Sequence, residues 1–468
     1  MSIRRIAVPA VSAAALIAAG ATVAAAAMTG GVHAKAPAKQ DGTIFLAASL
    51  SGANEVPVAH GGPAAHNGNA AHEQNATDGR NAVGDRDGRA VAVLRVQGDR
   101  LWYALRWQDI TAPTAGHLHL GAAGTNGAVK VPLFAGTLPE TARAVTGTVR
   151  ITDRATLDRL RDDPGGLYAN LHTGDRPGGA VRGQLHKLNR PVDLNGVLNG
   201  AASPELRSLA DGAQEVPAAD GKATGDPDGQ ATGFARARDG LLAWGFTWSS
   251  IAPPTLGHVH EGARGRNGAV VADLFAAPSG LPAPITGLAG VTRVAPGAAD
   301  RIARGPSGFY TNLHTGEFPG GAVRGQLAPA SDRPARAFTR RVVAGAQVYR
   351  CTAQPSGGYA FTQDGVDAVL EGGIRHTFAR PGPAGPPQWV ADDGSAVTGK
   401  AVTKTPNGAG NIPELVLDAS PTGDGLLSGT TQILRLNTVG GVAPSGACDP
   451  AATPLAKVPY RADYVFLG

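Results

Sequence analysis

Two copies of one histidine pattern stand out in this 468-residue chain. In the first copy His117 and His119 lie two positions apart, and a third histidine, His172, follows in a later segment. Residues i and i+2 of a β-strand point to the same face about 6.6 Å apart, so the first two imidazoles can reach one metal ion. Three histidine ligands with one open position are typical of a catalytic-type site for zinc or copper. The pattern therefore predicts a three-histidine metal site.

The second copy repeats this arrangement further along the chain, with His258, His260 and His314. In both copies the first two histidines stand in a Gly-His-x-His segment followed by Asn-Gly, and the third stands in Tyr-x-Asn-Leu-His-Thr. Blocks that recur in the same order indicate two copies of one domain. Each domain then carries its own candidate site.

A structural role is the alternative for these histidines, because imidazoles also hold loops together by hydrogen bonds to the backbone. A separate histidine-rich segment with His60, His66 and His72 has two interpretations, a flexible metal-scavenging loop or a low-complexity spacer. Asparagines close to the histidines are predicted to stabilise turns, because Asn bonds its neighbouring backbone and tolerates left-handed conformations. They are Asn126, Asn170, Asn267 and Asn312.

The elements that must position the histidines are predicted to be strands. Large apolar residues occupy every second position in two equivalent segments, which is the pattern of a strand with one face on a core. They are Leu101, Tyr103, Leu105 and Trp107, and Leu242, Trp244, Phe246 and Trp248. The chain has 66 glycines, 35 prolines and only 5% aromatic residues, which suits short strands joined by tight turns. We expect an all-β protein with two tandem β-sandwich domains and a β-rich C-terminal domain.

The N-terminus has the order of a secretory signal peptide over residues 1–34. Arg4 and Arg5 precede an uncharged alanine-rich run, and Val32-His33-Ala34 resembles a cleavage site. The run approaches the roughly 20 residues of a membrane span, so an uncleaved anchor is the alternative. Cleavage would leave no membrane span and a secreted, extracellular protein.

The repeats and the composition divide the rest of the chain into domains and linkers. The predicted segments are a first domain at 43–187, a linker at 188–205, a second domain at 206–328, a linker at 329–341 and a C-terminal domain at 342–468. The two cysteines of the chain, Cys351 and Cys448, both lie in the last segment. In a secreted protein such a pair most simply forms one disulfide.

The net charge of +5 comes from scattered arginines and lysines. Nucleic-acid binding would need a clustered basic stripe, so it is not predicted. The sequence also lacks the Gly-x-Ser-x-Gly, His-Glu-x-x-His and P-loop signatures of common enzymes.

The repeats resemble the CHRD domain, first described in chordin and found widely in secreted bacterial proteins. The matching residues are the two histidine blocks and the closing Gly-Gly-Ala-Val-Arg-Gly-Gln-Leu of each repeat. The C-terminal segment is similar to a family of secreted bacterial and fungal proteins of unknown function, through Val348-Tyr349-Arg350-Cys351 and Val458-Pro459-Tyr460-Arg461 among others. These resemblances imply an extracellular or cell-wall-associated binding or structural protein, with a partner that stays unknown.

The histidine pattern is also similar to that of Cu/Zn superoxide dismutases, which have a His-x-His strand, a later copper ligand and a glycine-rich stretch with an arginine that attracts superoxide. This resemblance implies that the six histidines bind copper and that Arg182 and Arg324 guide the anion. Pairing of the arginines with surface carboxylates is the alternative. The repeats lack the bridging histidine and the cysteines of that family. A copper-dependent superoxide-handling enzyme is therefore the second functional prediction.

Overall fold

The computed structural model describes residues 42–57, 83–201, 204–330, 336–382 and 385–468. The predicted signal peptide and the segment with His60, His66 and His72 lie outside the described residues. Strands dominate the rest, which confirms the all-β prediction. No helix in the described ranges is long and apolar enough to cross a membrane.

The first repeat folds into a sandwich of two four-stranded antiparallel layers. Its strands are β1 (Ile44–Ser51), β2 (Arg89–Gln97), β3 (Arg100–Gln108), β4 (Pro113–Leu120), β5 (Val129–Ala135), β6 (Ala142–Arg150), β7 (Leu167–Thr173) and β8 (Val181–Gln184). The strand order is β5-β4-β7-β8 in one layer and β1-β2-β3-β6 in the other, with β8 bridged to β1. A helix α1 (Arg154–Asp162) precedes β7, and a short strand β9 (His186–Lys187) pairs with β1.

The alternating apolar residues of β3 lie between these layers, as predicted. Leu101, Tyr103, Leu105 and Trp107 are all buried in one apolar core. Their counterparts in the second repeat are buried in the same way. The alternation therefore identified the inner face of the sandwich correctly in both copies.

The second repeat has the same strand order as the first. A short helix α2 (Asn195–Asn199) comes before it, and its elements are β10 (Leu206–Asp211), β11 (Gln230–Arg238), β12 (Leu241–Ser249), β13 (Pro254–Glu261), β14 (Val270–Ala276), β15 (Ile285–Arg293), α3 (Ala298–Arg304), β16 (Phe309–Thr315), β17 (Val323–Gln326) and β18 (Ala328–Pro329). Its layers are β14-β13-β16-β17 and β10-β11-β12-β15. Strand β15 also pairs with β6. The β1-β2-β3-β6 layer and the β10-β11-β12-β15 layer therefore form one continuous sheet.

The C-terminal region is a closed ring of antiparallel strands. They are β19 (Ala337–Ala353), β20 (Tyr359–Leu370), β21 (Arg375–Phe378), β22 (Pro387–Val390), β23 (Ala396–Thr405), β24 (Glu414–Thr422), β25 (Gln432–Gly440) and β26 (Leu455–Leu467). Each strand pairs with the next, and β26 pairs back with β19. The predicted disulfide between Cys351 and Cys448 is present.

The outer face of the first sandwich is covered by the C-terminal barrel. Ala104 points away from the core of its own domain and packs in an apolar cluster with Val465 of β26. Leu188, Val192 and Val197, from the segment predicted as a linker, belong to the same cluster. This part of the chain therefore helps to bury the contact between the two domains.

Candidate metal centres

Strand alternation places the candidate ligands of the first repeat on one outward face. Strands β4 and β7 are neighbours, and the register pairs His117 with Asn170 and His119 with Tyr168. The residue between the two histidines, Leu118, is fully buried in the sandwich core. The histidines therefore point away from that core and toward the loops that cross the layer.

The three predicted ligands of the first repeat meet on this face. Nδ1 of His117 lies 3.1 Å from Nε2 of His172. The ring centroids of His117 and His119 are 5.6 Å apart. One ring nitrogen of each histidine lies within 4.8 Å of one nitrogen of the other two. The fold thus gathers three imidazoles from β4 and β7 into a single cluster.

Backbone hydrogen bonds fix which nitrogens face the cluster. Nδ1 of His119 lies 3.0 Å from the carbonyl oxygen of Gly127, and Nδ1 of His172 lies 2.9 Å from that of Pro177. A carbonyl only accepts, so in a neutral ring each Nδ1 carries the proton and each Nε2 keeps its lone pair. Nε2 of His119 is buried without a hydrogen-bond partner among the described residues. The same side chains therefore brace the loops through Nδ1 and keep a lone pair on Nε2.

Burial keeps these imidazoles neutral. Desolvation, together with the neighbouring His172 and His119, lowers the pKa of His117 to about 4. Desolvation also lowers the pKa values of His119 and His172. The lone pairs that a metal ion would need are thus available at neutral pH.

The second repeat reproduces this cluster. Nδ1 of His258 lies 3.2 Å from Nε2 of His314, and the ring centroids of His258 and His260 are 5.6 Å apart. Nδ1 of His260 lies 3.0 Å from the carbonyl oxygen of Gly268, which again leaves Nε2 as the lone-pair nitrogen. That Nε2 is also buried without a partner in the described part of the chain. The same buried nitrogen is therefore left unsatisfied twice.

One neighbouring residue differs between the two clusters. Nε2 of His258 lies 3.4 Å from Oδ1 of Asp273 on β14. The residue opposite His117 on β5 is Pro132, which has no acceptor side chain. Only the second cluster therefore has a carboxylate beside its outer nitrogen at this position.

The two arginines predicted to guide an anion brace the loop after the His-x-His strand. The Arg182 guanidinium lies 3.5 Å from the centroid of the Tyr168 ring, which stacks on His119 at 4.8 Å. Arg182 donates to the carbonyl oxygens of Ala122 at 2.9 Å and Thr125 at 2.8 Å. These hydrogen bonds go to loop carbonyls rather than to surface carboxylates.

Arg324 makes the corresponding contacts in the second repeat. It lies 3.5 Å from the Tyr310 ring centroid and donates to the carbonyl oxygens of Ala263 and Arg266. Its side chain is as fully buried as that of Arg182. The arginines therefore hold the loop that carries Gly127 or Gly268, and guiding of an anion stays a prediction.

A buried glutamate in each repeat was missed by the sequence analysis. Burial raises the pKa of Glu55 to about 7, and the Arg182 charge and an Asn170 hydrogen bond act against this rise. Glu55 packs against Gly179, where an added Cβ would lie 2.7 Å from the carboxylate. The sequence signal was the recurring Glu-Val-Pro, together with the Gly-Gly pair that leaves room for the carboxylate.

Two of the four asparagines were assigned the wrong role. Asn170 and Asn312 lie inside β7 and β16 rather than in turns. Nδ2 of Asn312 donates to Oε2 of Glu215, the second-repeat counterpart of Glu55, at 3.3 Å. Asn126 does stabilise a loop, because it donates to the Val56 carbonyl and accepts from Arg182.

Fold and site together define a tandem β-sandwich protein with an outward three-histidine cluster in each sandwich. The family model for the CHRD domain matches residues 46–185 and 206–327, which is more than half of the chain. The chain therefore belongs to the CHRD domain family. A second model, described as Protein of unknown function (DUF3455), matches residues 372–468. Searches of curated proteins and of solved structures gave no match.

Proposed function

We propose that this is a secreted binding or structural protein of the extracellular space or cell wall, whose CHRD domains each bind one zinc or copper ion through three histidines. The observation that carries the proposal is the buried, unpartnered Nε2 at His119 and again at His260. Native structures rarely leave a buried polar atom unsatisfied, so its recurrence beside two further imidazoles in both repeats supports a bound partner such as a metal ion.

The donor set fits such an ion. The first site would be formed by Nδ1 of His117, Nε2 of His119 and Nε2 of His172. Nδ1 of His117 donates to Nε2 of His172 in the metal-free cluster, so His117 would bind the ion as the tautomer with its proton on Nε2. Nitrogens bonded to one zinc ion at about 2.1 Å can lie up to about 4.2 Å apart. The three ligand nitrogens here lie within 4.8 Å of one another, with the closest pair 3.1 Å apart, so binding needs a small inward rotation of the rings. Neutral imidazoles suit both zinc and copper. A bound ion would cross-link β4 to β7 and supply a Lewis-acidic position for an outside ligand.

Other features support an extracellular setting. A disulfide joins Cys351 to Cys448, and disulfides persist in oxidising compartments. The N-terminal segment has the order of a signal peptide, and CHRD repeats are found widely in secreted proteins. The partner would be another component of the cell wall or the extracellular space.

Metal stoichiometry tests the proposal. Apo protein titrated with Zn²⁺ or Cu²⁺ should bind two ions per chain by calorimetry and by elemental analysis. His119→Ala or His260→Ala should each remove one ion, and the double variant should remove both, because each loses a ligand that the others cannot replace.

A matched control separates these clusters from the histidine-rich segment. Replacing His60, His66 and His72 together by Gln should leave both ions bound. If this variant loses the metal while the His119→Ala, His260→Ala variant keeps it, the proposal is wrong.

The superoxide-handling alternative is tested with the same material. It requires an arginine that meets an incoming anion, whereas Arg182 and Arg324 are each only 1% exposed. Binding is therefore the function proposed here. Superoxide dismutation by copper-loaded protein that disappears in the double variant would instead support the enzyme.

A further inference from the structure

The C-terminal barrel contains a cavity that the metal sites do not use and that opens to solvent beside Ala401 and Lys404. Its volume is about 470 Å³. Every one of the eight strands contributes to its lining, from Gln347 on β19 to Tyr464 on β26. Eight-stranded antiparallel barrels have an interior wide enough to hold one small ligand. The cavity therefore lies inside the barrel and has the size of a small-molecule site.

One wall of the cavity is aromatic. The rings of His376 and Trp389 stack with centroids 4.3 Å apart and planes 4° from parallel. Tyr464 meets both rings at steep angles, with its centroid 5.0 Å from that of His376 and 5.3 Å from that of Trp389. Phe378 and Leu417 also line the cavity. This wall suits a flat apolar group, which can stack on it or meet it edge to face.

An unsatisfied hydrogen-bond donor belongs to the same wall. Trp389 is 1% exposed, and its Nε1 has no hydrogen-bond partner among the described residues. Buried indole N–H groups usually find an acceptor. His376 cannot supply one through Nδ1, because Nδ1 lies 2.9 Å from the Gln388 carbonyl and carries the proton. The indole nitrogen is thus closed off from the cavity as well as from solvent, and the wall offers a ligand its apolar surface rather than a donor.

The charges that line the cavity are positive. Arg435 and Lys404 contribute to the lining, and none of the described lining residues is acidic. Arg435 donates through Nε and Nη2 to the Pro413 carbonyl, which uses two of its five N–H groups. Glu414, whose carboxyl interacts with the Arg435 charge, lies outside the lining. The cavity thus combines an aromatic wall with an excess of positive charge.

We infer that the C-terminal barrel binds a small aromatic carboxylate, with the ring against the wall of His376, Trp389 and Tyr464 and the carboxylate toward Arg435 and Lys404. The site is separate from the histidine clusters, and its occupancy is independent of metal.

The test uses full-length protein and the probe 2-naphthoate, with 2-naphthylmethanol as its uncharged counterpart. Isothermal titration calorimetry should show one naphthoate per chain with a Kd below about 1 mM. The alcohol should bind about tenfold more weakly, because it lacks the charge that Arg435 and Lys404 attract. Chelation of metal should leave both results unchanged.

Variants locate the probe. Val366→Phe fills the cavity and should abolish binding, whereas Val343→Phe, at a site 68% exposed and outside the lining, should bind like the parent protein. Arg435→Gln should weaken naphthoate about tenfold and the alcohol little. Trp389→Phe replaces the bicyclic indole by a smaller ring and should weaken both probes about fivefold, because the wall loses aromatic surface. A thermal melt of each variant confirms folding, and Ala401→Phe replaces Val366→Phe if the latter does not fold.

Three results would overturn the inference. They are no binding of naphthoate at about 1 mM, equal affinity for acid and alcohol, or undiminished binding in a folded cavity-filling variant.

Discussion

At the scale of single residues, Asp273 is the side chain that distinguishes the two histidine clusters. It is 85% exposed and lies 3.4 Å from Nε2 of His258. A carboxylate on the outer nitrogen of a ligating histidine orients the ring and increases its basicity. The first cluster has Pro132 in the corresponding place. The second cluster should therefore hold a metal ion more tightly than the first.

Competition titration with a coloured zinc chelator should resolve two dissociation constants that differ by about tenfold, the low end of such outer-shell effects. Asp273→Ala should weaken only the tighter site, so that the two constants become similar. His258→Ala identifies that site by removing it. Unchanged constants in Asp273→Ala would show that the carboxylate plays no part.

The histidines could be predicted from the sequence, and the role of the arginines could not. His117 and His119 share a face because strand geometry alone places i and i+2 together. The bonds of Arg182 depend on the path of the loop after β4, which brings the Ala122 and Thr125 carbonyls over the sheet. Burial of Glu55 likewise depends on a contact with Gly179, far away in the chain.

At the scale of elements, the strands could be predicted from the sequence, but the pairing between edge strands could not. Apolar alternation identified β3 and β12 and their inner faces, because a strand with one face on a core has an apolar residue at every second position. Nothing local indicated that β6 pairs with β15, since an edge strand has the same pattern whether or not another strand joins it. The closure of β19 onto β26 is similarly a long-range event.

The disulfide lies near the pairing of β19 with β26 that closes the barrel. Cys351 lies in β19 and Cys448 in the segment before β26, with a sequence separation of 97. Cross-linking a loop of this length restricts the unfolded chain and stabilises the fold by about 4–5 kcal/mol on the chain-entropy model. Cys351→Ser with Cys448→Ser should lower the unfolding free energy of the barrel by up to about that amount in urea denaturation.

Reduction of the disulfide in the parent protein is the control for the cysteine variant. A reducing agent should destabilise the parent protein to the same extent and leave the double variant unaffected. Equal stability of parent and variant would mean that the loop is already restrained in the unfolded state.

At the scale of the whole molecule, a polar network joins the first sandwich to the barrel. Oγ of Ser49 on β1 donates to Oδ2 of Asp463 on β26 at 2.9 Å, and Nδ2 of Asn437 on β25 donates to the same oxygen at 2.7 Å. Asn54 of the first repeat donates to Asn437 at 3.0 Å. These bonds lie beside the apolar cluster around Val465. Hydrogen bonds are directional, so they fix the relative position of the two domains that the apolar contact holds together.

Glu414 makes this interface sensitive to pH. Burial raises its pKa to about 7, with the Asp463 charge acting in the same direction and Arg435 and the Asn437 N–H acting against it. Oε2 of Glu414 lies 3.2 Å from Nε2 of His186, whose own pKa burial lowers to about 4. Near neutrality the Glu414 carboxyl therefore gains or loses a proton while His186 stays neutral.

The folded state holds the Glu414 proton more tightly than the unfolded state. Its stabilising contribution is complete below the unfolded pKa near 4.5 and is lost as pH rises through about 7. The lowered pKa values of the buried histidines act in the opposite direction and are common to parent and variant, so the Glu414 contribution is measured as a difference between the two. In urea denaturation at pH 5 and pH 8 the parent should lose roughly 1–3 kcal/mol of unfolding free energy relative to Glu414→Gln, whereas exposed Glu140→Gln should follow the parent. Equal pH dependence of the parent and Glu414→Gln would refute this assignment.

The most direct test of the metal-binding account is anomalous diffraction from crystals of the protein loaded with zinc or copper. We expect two anomalous peaks per chain, one among His117, His119 and His172 and one among His258, His260 and His314, each about 2.0–2.1 Å from three ring nitrogens. Crystals with intact histidine clusters and no peak at either of them would contradict it.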